Sequence, residues 1–181
     1  SFPGSVPAYY EVLLEEAGPA TYKEAPDDDQ PLRFTLSPAD AAAIFALAEK
    51  LQFFQRPLES KLKVANMGMK TFRYQGSQAR GEAKFNYSED PDARALADWF
   101  EKISETVFHR ITLERTARFD RLGVNKALLL LEASWDKNRI VAPDQLLPIL
   151  DKIANGKSYL HMAQARAAAL AERIRAGKPH N

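Results

Sequence analysis

No cysteine occurs in the 181 residues, which excludes disulfides, thiolate nucleophiles and cysteine-ligated metals together. That absence does not choose a compartment, because many exported bacterial proteins also lack the residue. Histidine is nearly as scarce: three imidazoles are too few for a metal cluster, and neither a metal nor a cofactor is expected. Long apolar runs are missing too. The leucine-rich Ala127–Leu131 stretch falls far short of the roughly 20 residues that span a bilayer, so a soluble chain with no membrane span is expected. Nor is there an excess of one charge. A balance of 25 Lys/Arg against 24 Asp/Glu argues against a dedicated nucleic-acid binder.

Familiar catalytic and binding signatures are lacking as well. There is no glycine-rich phosphate loop, no G-x-S-x-G elbow, no H-E-x-x-H helix and no spaced acidic calcium loop. Asp27-Asp28-Asp29 lacks the alternating ligands and central glycine of such a calcium loop and reads as a charged turn.

What is present describes a folded chain. Hydrophobic residues make up 45% and charged residues 27%, ordinary for a protein that buries a core. The halves differ in charge: residues 1–90 hold 10 Lys/Arg against 13 Asp/Glu, and residues 91–181 hold 15 against 11. The shift falls where the residue pattern changes from strands to helices.

Alternation of apolar and polar positions predicts strands over Tyr9–Glu16, Ala20–Ala25 and around Leu32, Phe34 and Leu36. Ser37-Pro38-Ala39-Asp40 is a helix start, since serine accepts from free backbone N–H groups and proline pre-sets the first helical φ. That helix is expected to reach about Phe53. Strands are predicted from Met69 to Gln75 and through Ala83, Phe85 and Tyr87, with Gly76-Ser77 at the tip between them. From Asp90-Pro91 onward, Leu96, Trp99, Phe100, Ile103, Val107, Phe108 and Ile111 follow the spacing of an amphipathic helix. It is expected to end near Gly123, as a left-handed stop. Three more helices follow, over Val124–Asp136, from Pro143 to Asn155, and from a Ser158 cap to Ala176. The expectation is an α+β fold. A small antiparallel sheet with one packed helix occupies residues 1–90, and about four helices follow over 91–181.

Six residues are the candidates for a polar site: Glu105, His109, Arg118, Asp120, Asn125 and Lys126. Glu105 stands four residues before His109, the spacing at which a carboxylate can orient an imidazole base. The same spacing is common on any helix. His161 and the terminal His180 have no such partner in the pattern. Arg110, Arg115, Arg118 and Arg121 could hold phosphate, yet Glu114 lies four residues from both Arg110 and Arg118, and intrahelical ion pairing accounts for the run. Phe119-Asp120-Arg121-Leu122-Gly123-Val124-Asn125-Lys126 is the most particular segment. It is read as a buried helix corner with capping side chains, or else as a site for a small anion or partner at a helix amino-terminus. Trp135 and the Ser158–Met162 segment are read as helix-docking residues, and Asn86-Tyr87-Ser88 as only a formal glycosylation acceptor.

Three stretches carry a family resemblance: Met69-Lys70-Thr71-Phe72-Arg73-Tyr74, the Phe119–Lys126 segment, and Tyr159-Leu160-His161-Met162-Ala163. They resemble uncharacterised exported proteins of soil bacteria of the acidobacterial type. The resemblance spans residues 9–176. It implies export from the cytoplasm, in line with a chain that opens on Ser1-Phe2-Pro3 rather than methionine, and it implies no catalytic residues.

A non-enzymatic, exported or cell-envelope interaction module is therefore the expectation. The alternative is a small-molecule (anion) binder or hydrolase with its site between sheet and helical half. A weaker one is a phosphate or nucleic-acid binder on the Arg110–Arg121 face.

Overall fold

The structure is a computed structural model that describes residues 4–77 and 79–177; His180 lies outside the described residues. The fold is α+β, with a helical C-terminal half, as the residue pattern predicts. It divides into two compact units, Ser1–Glu101 and Lys102–Asn181.

In the first unit, β1 (Glu11–Leu14), β2 (Pro19–Lys23) and β3 (Leu32–Thr35) form an antiparallel sheet in that order. Leu14 pairs with Ala20, and Ala20 with Phe34. The β1–β2 turn closes at Gly18, whose φ of +106° suits glycine and whose position leaves no room for a Cβ against the Leu36 carbonyl, 2.7 Å away. Tyr22, Phe34 and Leu36 are buried, one face of the alternation. Tyr10 stacks on Tyr22 with ring centroids 6.0 Å apart, and burial pushes its hydroxyl pKa up to about 12.

Helix α1 (Pro38–Lys50) starts as predicted, with Ser37 Oγ accepting from the Asp40 N–H at 3.1 Å. It stops earlier than Phe53. Gln52, Phe53 and Phe54 instead take left-handed φ values of 54°, 50° and 64°, each costing about 1–2 kcal/mol in a non-glycine residue. Aromatic packing offsets that cost: Phe53 lies 4.4 Å from the Tyr74 ring and Phe54 5.3 Å from Phe72. Strands β4 (Lys70–Gln75) and β5 (Arg80–Phe85) pair with each other in a separate hairpin. The single expected sheet is thus two. This hairpin packs on the left-handed turn, and the Phe72 ring meets those of Phe54, Phe85 and Phe100.

Helix α2 (Pro91–Phe119) is the longest. Asp90 Oδ1 accepts from the Asp92 and Ala93 N–H groups, and Arg56 holds the Asp90 carboxyl below its ordinary pKa. Leu96, Ile103 and Val107 are buried as their spacing predicts, whereas Phe108 is exposed.

In the second unit, α3 (Val124–Asp136), α4 (Leu147–Asn155) and α5 (His161–Arg175) follow the end of α2. Their core gathers Leu113, Leu128, Leu131, Leu150, Ile153 and Leu170. A short helical turn, Pro143–Leu146, precedes α4. Two capping expectations fail. Gly123 has φ −74° and serves as the N-cap of α3, because the Asp120 carboxylate already accepts its N–H at 3.1 Å and no left-handed stop is needed. Leu160, not Ser158, caps α5, and the Gln164 side chain reaches back to the Gly156 carbonyl at 2.8 Å. Among the described residues no helix is long and apolar enough to cross a membrane.

Candidate functional site

Of the six sequence-predicted residues, Glu105 and His109 come together, and they do so through a residue the sequence reading passed over. Ser134, on α3, donates its hydroxyl to Glu105 Oε1 at 2.7 Å and lies 2.9 Å from His109 Nε2. Arg139 Nε donates to Glu105 Oε2 at 2.9 Å. Beside this cluster, Thr106 Oγ1 accepts from the Val141 N–H at 3.0 Å and donates to the Lys102 carbonyl at 2.9 Å. The signal for Ser134 was available: it continues the Ala127–Leu131 face of α3, where a small polar residue on a core stripe must find a buried partner. Arg139 had none, since it lies past the helix end.

The donor directions decide what this cluster can do. Glu105 carries a charge balanced by Arg139, so it is the stronger acceptor for the one proton on Ser134 Oγ. His109 must then donate from Nε2 to the same oxygen. An imidazole that donates to a serine cannot take the serine's proton, so the arrangement is the reverse of a nucleophile–base pair. The cluster instead clamps the turn after α3 onto α2.

His109 is only 6% exposed, and burial outweighs the neighbouring Glu105 in holding its pKa below the ordinary 6.5. The folded chain keeps it neutral, and between the folded and unfolded pKa values only the unfolded chain takes up the proton. This contribution to stability is complete above about pH 6.5 and is lost as pH falls through the folded-state value. Melting temperature is expected to fall on mild acidification, and His109→Gln is expected to flatten that part of the profile. Superimposable profiles for the two proteins would refute it.

The other four candidates form no part of this cluster. Asp120 caps Gly123, so the chain's own carboxylate takes the place a small anion would occupy at the α3 amino-terminus. Asn125 accepts from Arg166 Nε at 3.3 Å and lies 3.6 Å from the Met162 sulfur. Arg118 rests 5.0 Å from the Phe119 ring centroid, and Lys126 is exposed. The expected buried corner is open: Phe119 is 74% exposed and Leu122 77%, with only Val124 of the segment turned into the core.

No family model, curated protein or solved structure matches the chain.

The arginines of the helical unit sort into two groups. Arg110, Arg139, Arg166, Arg173 and Arg175 all pair with carboxylates. Arg115, Arg118 and Arg121 make no ion pair among the described residues, and neither does the nearby Lys126. Glu114 pairs with Arg110, leaving Arg118 without the partner its spacing suggested. Arg115, Arg118, Arg121 and Lys126 thus flank the exposed Phe119 and Leu122 along the chain, whereas Lys137, Lys152 and Lys157, which make no ion pair among the described residues either, lie outside the segment. Spacing of three and four puts Arg115, Arg118 and Phe119 on one face of α2. The corner is also braced, because the Tyr159 hydroxyl donates to the Ala117 carbonyl at 3.1 Å.

Proposed function

We propose that this chain is a non-enzymatic interaction module of the cell envelope that docks an acidic, amphipathic protein helix on the exposed corner around Phe119 and Leu122. What supports the reading is the segregation of the arginines: Arg115, Arg118 and Arg121 stand unpaired at that corner, while the other five arginines of the unit are paired. An exposed phenylalanine beside arginines has the composition of a protein-recognition surface. An apolar face edged with carboxylates complements it in both shape of chemistry and sign. Met162, at the start of α5, is exposed as well, and its sulfur lies 3.6 Å from the amide of Asn125 in the same segment.

The test is equilibrium binding of the whole chain to a model helix with leucine on one face and glutamate along its edges, run beside a short DNA duplex. The helix is expected to bind. Phe119→Ser with Leu122→Ser is expected to weaken it about thirtyfold, the effect of losing one buried hot spot of about 2 kcal/mol. Unchanged affinity in that variant would remove the reading. Duplex binding that falls steeply with salt would replace it with a phosphate-binding one.

A further inference from the structure

A second basic and apolar surface lies in the first unit, and its chemistry differs from that of the helical corner. From Ser60 to Arg80 the chain holds five basic residues and no acidic one. The whole of residues 1–101 carries 11 Lys/Arg against 16 Asp/Glu, so this positive stretch sits in an otherwise acidic unit.

Its first half, before β4, is a loop fastened by polar contacts. Glu59 Oε2 accepts from the Asn86 N–H at 2.6 Å, and the Ser60 N–H donates to the Tyr87 carbonyl at 2.8 Å. Asn86 uses both ends of its amide, donating to the Ala65 carbonyl at 2.9 Å and accepting from the Met67 N–H at 2.6 Å. Lys70 Nζ crosses the base of the loop to the Gly68 and Asn86 carbonyls. None of these contacts uses the loop's apolar side chains. Leu62 is 55% exposed and Met67 57%, and Val64 and Met69 are exposed as well. Lys61 and Lys63, which flank Leu62, make no ion pair among the described residues.

We propose that the Ser60–Met69 loop binds an anionic lipid surface, with Leu62, Val64 and Met67 entering the headgroup boundary and Lys61 and Lys63 meeting the lipid phosphates. Several features favour lipid over protein. The loop offers leucine, valine, methionine and lysine, whereas protein interfaces are depleted in lysine and their strong contacts in leucine and valine. It has no aromatic or arginine anchor between Ser60 and Met69. Lysines suit a fluid anionic surface: the stem lies along the apolar phase while the ammonium stays among headgroups. Holding the loop's backbone in advance through Glu59, Asn86 and Lys70 lets Leu62, Val64 and Met67 stand exposed with little ordering cost at the moment of binding.

The experiment is sedimentation of the whole chain with vesicles of phosphatidylcholine alone and of phosphatidylcholine with phosphatidylglycerol. Binding is expected only with the anionic vesicles and is expected to weaken with salt. Lys61→Gln with Lys63→Gln is expected to reduce it about twenty-five-fold, a factor of about five for each lysine. Leu62→Ser with Met67→Ser is expected to reduce it by a comparable amount. Circular dichroism of these exposed-site variants is expected to match the parent chain. Arg118→Glu, in the helical corner, is expected to leave vesicle binding unchanged. Equal sedimentation with neutral vesicles, full retention in both loop variants, or loss in Arg118→Glu would each overturn the proposal. The loop variants share no residue with the helical corner, so failure of vesicle binding and failure of the acidic-helix titration are told apart.

Discussion

Gly81→Ala is expected to lower the melting temperature of the first unit by roughly 15 °C, from a loss of about 3 kcal/mol. The position is demanding for reasons of space. A Cβ at Gly81 would lie 2.0 Å from the Phe53 carbonyl oxygen, 2.9 Å from the Phe54 carbonyl carbon and 3.1 Å from the Gln55 nitrogen. All three are backbone atoms, so no side chain can swing away to relieve the contact. They belong to the left-handed turn of Gln52, Phe53 and Phe54 and to Gln55, which follows it, a turn already held in a costly conformation by its rings on Tyr74 and Phe72. Moving the turn would release the aromatic packing that keeps it there. Thermal unfolding followed through the tyrosine and phenylalanine near-ultraviolet signal measures this directly. A loss under about 1 kcal/mol would mean the turn yields without disturbing the core beneath it.

The second large effect separates adjacent leucines. Leu128→Ala is expected to cost about 3 kcal/mol, from lost burial and the cavity left among Leu113, Leu150 and their neighbours. Leu129→Ala, one residue on, is expected to change stability by no more than about 0.5 kcal/mol, because Leu129 is exposed. Leu128 and Leu131 are fully buried, while Leu129 and Leu130 point outward, as the helical period requires. Denaturant titration of the two variants gives the comparison. Equal losses would mean that the outward leucines are covered by something the unit itself does not supply.

These two sites mark what could and could not be read from the residues. The span of α3, Val124–Asp136, was legible because its limits are local: a glycine before it and a polar stretch after it. The start of α1 was legible for the same reason, since Ser37 and Asp40 meet across a single turn. The left-handed turn was not. Nothing in Gln52-Phe53-Phe54 signals a positive φ; it is imposed by packing against a hairpin that lies some twenty to thirty residues further along. The polar cluster was half legible. Glu105 and His109 are one helical turn apart, but Ser134 and Arg139, which set the direction of every proton in it, are 29 and 34 residues from Glu105. The corner was located correctly and its burial was not. Charged residues on both sides of Phe119 and Leu122 are compatible with a capped, buried junction, and only packing decides that these two side chains are left outside.

The buried polar cluster is expected to hold the fold, and the exposed corner to make the contact. One measurement weighs both: affinity for the acidic model helix in Ser134→Ala and in the Phe119→Ser, Leu122→Ser pair, each at a temperature where it remains folded. Ser134→Ala leaves His109 and Glu105 without their shared partner and is expected to melt lower, by about 1–3 kcal/mol of stability, while binding as the parent does. The corner variant is expected to melt like the parent and to bind about thirtyfold more weakly. Lost binding in Ser134→Ala with full binding in the corner variant would contradict the account and return attention to Glu105, His109 and Ser134 as a working site.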